Sequence, residues 1–121
     1  MSENLDFNEK FRRRTKKFAI NVIHFYSNNC KKTEELRIIG KQLFRSATSV
    51  ASNFRAYSRG RSNAERFAKI CIVVEEADET QFWLELIEES NLINSIELTK
   101  LKEESIELVK VFTATKATIA K

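Results

Sequence analysis

An all-α fold, an antiparallel up-down-up-down four-helix bundle, is what this 121-residue sequence predicts. Three observations predict it. Proline is absent and glycine occurs only at positions 40 and 60, so little except short polar turns can stop a helix. Apolar residues recur at steps of three and four through long stretches rich in Leu, Ile, Lys, Glu and Ala. The intervening polar segments are too short for anything but antiparallel neighbours. A single domain over residues 1–121 is expected, with helices near 7–29, 34–59, 63–92 and 96–119.

The first helix is expected to open at Asp6, where Asp-Phe-Asn-Glu9 has the spacing of a capping box. Phe7, Phe11, Phe18, Val22 and Phe25 then share one face. Thr33, followed by two glutamates that suit the positive end of a helix dipole, should cap the second helix. Its seam is Leu36, Ile39, Leu43, Ala47, Val50, Phe54 and Tyr57. Gly60 is the expected left-handed stop, and Ser62-Asn-Ala-Glu65 is a second capping box that starts the third helix.

The third helix is apolar on more than one side. Phe67, Ile70, Cys71, Val74 and Ala77 make one face; Ala68, Ile72, Phe82 and Leu86, with Trp83 and Ile87 further round, make another. One core stripe does not need the second face, so Ile72, Phe82, Trp83 and Leu86 are expected to form an oligomer interface. The fourth helix should start after Ser95 and carry Leu98, Leu101, Ser105, Leu108, Phe112, Thr115 and Ile119 on its seam.

Several function classes find no support in the residues. The longest unbroken aliphatic and cysteine run, Ile70 to Val74, is far below the roughly 20 residues needed to span a bilayer. With no apolar signal-peptide core at the N-terminus, a cytoplasmic protein is expected. Cys30 and Cys71 lie in different elements and His24 is the sole histidine, so neither a zinc site nor a di-iron site has its ligands, and no cofactor is expected. The hydroxyls of Ser46 to Ser52 lack a base and a strained nucleophile turn; small residues there suit close helix approach. An enzyme is therefore not expected.

Charge is the informative feature. Residues 1–70 hold 16 Lys and Arg against 6 Asp and Glu, whereas residues 71–121 hold 5 against 11. Two readings stay open: opposed helices neutralise one another within or between subunits, or part of the basic half is free to meet phosphate. Lys10 to Lys17 carries six cations in eight positions. Phe11 and Phe18 claim the buried side, so Arg12, Arg13, Lys16 and Lys17 should fan over the surface with Arg14 at its border. Arg55, Arg59, Arg61 and Arg66 gather around the second turn. No exposed aromatic is interleaved in the first cluster, so RNA or another nucleic acid would be held electrostatically and by shape. In the acidic block Glu75 to Glu79, Asp78 is expected to point at the apolar seam. There it would bond Arg45 or the Asn53 amide and fix helix register, with Glu85 as a second candidate.

Four segments carry a family resemblance: Arg14 to Ala19 (RTKKFA), Ile39 to Ala56 (IGKQLFRSATSVASNFRA), Arg61 to Phe67 (RSNAERF) and Glu75 to Ile87 (EEADETQFWLELI). The chain resembles the bacterial four-helix-bundle family that includes proteins encoded by intervening sequences within 23S ribosomal RNA genes. It also resembles the accessory variability proteins of diversity-generating retroelements. The resemblance spans roughly residues 10–119 and implies a ring-shaped homopentamer of antiparallel bundles. For the retroelement branch it further implies a positive surface that binds nucleic acid and a protein partner, a reverse transcriptase. Many members read Ala-Asn-Ile-Ala-Glu-Gly where this chain reads Ser-Asn-Phe-Arg-Ala-Tyr-Ser-Arg-Gly, so an acidic helix end has become basic.

Overall fold

The computed structural model describes residues 2–120, with side-chain environments from residue 6 to residue 119. Helices α1 (Ser2–Asn29), α2 (Glu34–Ser58), α3 (Asn63–Glu89) and α4 (Ile96–Ala120) follow in order. Each packs on its sequence neighbours, α1 and α4 close the ring more sparsely, and no diagonal pair approaches closely among the described residues. That is the connectivity of an up-down-up-down bundle.

Local chemistry accounts for most helix ends. Thr33 accepts a hydrogen bond from the Leu36 amide (3.2 Å), Ser62 from Glu65 (3.1 Å) and Ser95 from Leu98 (3.2 Å). The Glu65 carboxylate returns to the Arg61 amide at 3.0 Å, one residue before the position a capping box uses. Helix α1 begins earlier than expected, so Asp6 lies inside it rather than capping it. Once a helix is nucleated, each added residue gains a hydrogen bond, which favours extension over an internal stop.

Two stops differ from expectation. Gly60 is not left-handed; the left-handed residue is Asn91, with φ of 59°. Asn91 donates its amide to Glu88 O (3.1 Å) and Leu92 donates to Ile87 O (3.3 Å), a Schellman closure that ends α3 at Glu89. Leu92 also packs on the core, the apolar contact that accompanies this motif. Gly60 is needed for space instead: a Cβ there would sit 2.5 Å from Arg66 Cγ.

The core follows the expected seams on α1, α2 and α4, with Thr15 completing the α1 stripe through a bond from its hydroxyl to Phe11 O (2.6 Å). On α3 the expectation is corrected. Its buried positions are Ile70, Val73, Ala77, Thr80, Leu84 and Ile87, while Phe67 is exposed and Cys71 and Val74 are only half-buried. Helix α3 contacts both α2 and α4, so its buried stripe is centred between the two neighbours. Thr80 Oγ1 and Ser46 Oγ lie 2.9 Å apart across α2 and α3, and Ser46 donates to Leu43 O (3.2 Å), which satisfies two buried hydroxyls.

Cys30, just beyond α1, is fully buried, and burial, aided by nearby Glu97, pushes its thiol from 9.0 up to about 11. A raised value in the folded state favours the protonated form. Its contribution to stability is therefore complete below about pH 9 and is lost as pH rises to about 11. Urea unfolding at pH 8 and pH 10.5 should show a loss that Cys30→Ala largely removes; an equal loss in both proteins would place the effect elsewhere.

Candidate nucleic-acid interface

Antiparallel packing of α1 on α2 sets residue 12 beside residue 58, where the Arg12 guanidinium donates to Ser58 Oγ (3.1 Å). From that contact a groove of about 610 Å³ runs between the two helices. Arg12, Arg13 and Lys16 form its α1 wall and Arg55 and Arg59 its α2 wall, with Glu9 as the one carboxylate among the described residues. Glu9 pairs with Arg13 at 2.7 Å on an exposed surface, which leaves Arg12, Lys16, Arg55 and Arg59 without an acidic partner among the described residues. Further along, the lining turns neutral, with Ile20 and Ile23 facing Thr48, Ala51 and Ser52.

The remaining cations go elsewhere. Arg14 faces α4, where its guanidinium makes a bidentate pair with Glu104 (2.6 and 2.8 Å) and lies 5.2 Å from the centre of the Phe11 ring. The hydrogen bond to Glu104 raises its pKa above the usual guanidinium value, so Arg14 is a constant cation that clamps the sparse α1–α4 seam. Lys17 is exposed on the same side and lines an α1–α4 cleft of about 450 Å³ with His24, Glu97 and Lys100. Arg61 lies near Glu65 (3.9 Å), and Arg66 is half-buried against Gly60 O (3.4 Å) and Asn63 Oδ1. Both belong to the α2–α3 turn rather than to the groove.

The expected role of Asp78 is corrected. Its side chain is exposed; Arg45 instead pairs with Glu79 and lies 3.5 Å from Glu76. The Asn53 amide donates within α2, to Ser49 O and Ser49 Oγ (both 3.0 Å). The physical reason is phase: the buried stripe of α3 passes through Ala77 and Thr80, which turns Asp78 outward and brings Glu76 and Glu79 to its α2 edge. Glu79 also accepts from Trp83 Nε1 (3.0 Å), which orients the indole edge-on to Phe82 at 4.9 Å between ring centres. Phe82 is half-exposed, and Ile72, Trp83 and Leu86 are partly exposed beside it.

Sequence reasoning passed over Thr48 and Ser52 as groove residues. Their spacing from Arg55 and Arg59, at steps of four, three and four, was the available signal. Among the described residues, no three metal-ligating side chains cluster and no helix is long and apolar enough to cross a membrane.

The chain matches the family model described as "23S rRNA-intervening sequence protein" over residues 8–114. A solved structure with the same fold is a protein of unknown function from the S23 ribosomal protein family of Bacteroides thetaiotaomicron VPI-5482. It is 25% identical, with a TM-score of 0.79 over 91% of this chain and 97% of that one. No protein of curated function matches significantly. Four antiparallel helices with this sequence pattern, and a match across nearly the whole chain, lead to one conclusion: the chain belongs to the 23S rRNA-intervening sequence protein family.

Proposed function

We propose that this protein binds RNA through the α1–α2 groove, by phosphate neutralisation rather than base reading. One observation carries the reading: cations 39 or more positions apart in sequence, Arg12 and Lys16 against Arg55 and Arg59, converge on one groove and lack acidic partners among the described residues. Unpaired cations around a concavity concentrate positive potential, and each phosphate they neutralise releases counterions.

The test is fluorescence anisotropy of a labelled RNA hairpin across a salt series. With four unpaired cations engaged, log K should fall against log salt with a slope of about −3 to −4. Changing Arg12, Lys16, Arg55 and Arg59 together to Gln should abolish binding and leave particle mass unchanged, whereas Arg14→Gln should leave the slope as it was. Absent binding at low salt, together with a changed particle mass in the fourfold variant, would overturn the reading. The cations would then pair with acidic helices of another copy.

A further inference from the structure

Building on that reading, we propose that the neutral end of the groove recognises ribose in a paired RNA stem, with Thr48 and Ser52 distinguishing RNA from DNA. Thr48, Ser52, Arg55 and Arg59 form one stripe along α2, so hydroxyls and guanidiniums face the same ligand in sequence. The charged end covers about 6 Å of each helix, one turn, and the hydroxyls continue it by about two turns.

The hydroxyl protons decide what the neutral end accepts. Thr48 Oγ1 donates to Phe44 O at 2.9 Å, and Ser52 Oγ donates to Ser49 O at 3.3 Å. In that arrangement both oxygens turn lone pairs to the groove, Thr48 through the shorter and firmer bond. A phosphate oxygen is an acceptor too and would have to draw the proton away from the helix backbone. A donor is the matching partner, and the 2′-hydroxyl of ribose is a donor that DNA lacks. Guanine's minor-groove amine is a second possible donor, and it is common to RNA and DNA.

The lining also selects the ligand's shape. It contains no aromatic side chain, so unpaired bases have no platform to stack on. An A-form stem, by contrast, offers a wide, shallow minor groove edged with 2′-hydroxyls and flanked by phosphates. Such a surface meets hydroxyl acceptors and neighbouring cations together.

The experiment measures anisotropy with three probes of matched sequence: an RNA hairpin, a DNA hairpin and an unpaired RNA. Wild-type protein is compared with the Thr48→Val, Ser52→Ala double variant, and with Ser52→Ala alone, whose exposed position keeps the test independent of core folding. The RNA hairpin should bind at least roughly fivefold tighter than the DNA hairpin, as expected for one or two hydrogen bonds. The double variant should lower RNA affinity to the DNA value while leaving DNA affinity and the salt slope unchanged. Equal RNA and DNA affinity in the wild type, or equal weakening of both in the variant, would overturn the ribose assignment and leave phosphate binding standing. Tighter binding of the unpaired RNA would overturn the paired-stem assignment. Failure of all three probes to bind would remove the RNA reading itself.

Discussion

Replacing Phe54 by alanine is expected to destabilise the bundle by about 3–5 kcal/mol. Phe54 is fully buried on α2, and its ring centre lies 5.1 Å from Phe112, 5.3 Å from Tyr57, 6.2 Å from Phe7 and 6.4 Å from Phe11. One side chain thus joins α1, α2 and α4 at the end of the bundle beneath the cationic groove. Its removal forfeits the transfer free energy of the ring and leaves a cavity that three helices cannot all close. A domain of this length has a total stability of roughly 6–18 kcal/mol, so the loss should lower Tm by roughly 10–20 °C. Phe54→Leu should cost much less, because most of the volume is kept. A loss under 1 kcal/mol in Phe54→Ala, measured by urea unfolding, would show that the aromatic cluster does not hold the three helices together.

Gly40→Leu is expected to cost about 3 kcal/mol for the opposite reason, excess volume. Gly40 is buried inside α2, where a Cβ would fall 2.7 Å from Cys30 Cβ and 2.9 Å from both Cys30 Sγ and Tyr26 Cδ1. These atoms belong to the end of α1 and the turn after it, so the collision pushes α1 from α2. Gly40→Ala sets two effects against each other. Helix propensity favours alanine by about 1 kcal/mol, while overpacking costs about 1–3 kcal/mol. A net loss near 1 kcal/mol is expected, smaller than that of Gly40→Leu. Unfolding midpoints for the pair read this directly, and a stabilised Gly40→Ala would mean that the α1–α2 crossing yields without cost. Since the groove lies between the same two helices, Gly40→Leu should also weaken the proposed RNA binding.

The aromatic seam and the helix caps were legible because they depend on neighbours three or four residues away. Phe11, Phe18 and Phe25 on α1, and Leu43, Val50 and Phe54 on α2, announce a buried face by spacing alone. Thr33, Ser62 and Ser95 announce helix starts by their side-chain chemistry. Asn91 escaped notice because an asparagine reaches the left-handed region less obviously than glycine does. Helix α3 was ambiguous because it is apolar around much of its circumference. Periodicity cannot rank Val73, Thr80 and Leu84 above Phe67, Cys71 and Val74 when each set has helical spacing.

The sequence by itself determined the four helices, their antiparallel order and the presence of two basic clusters, since short-range spacing and short turns suffice for each. Only the tertiary structure decided which cations share a surface. Arg12 and Lys16 meet Arg55 and Arg59 because α1 and α2 run antiparallel in one register, whereas Arg14, two residues from Arg12, turns some 200° around the helix to Glu104 on α4. Proximity in sequence constrains side chains only along one helix. Convergence into a groove depends on the rotation of each helix about its own axis, and the packed core sets that rotation.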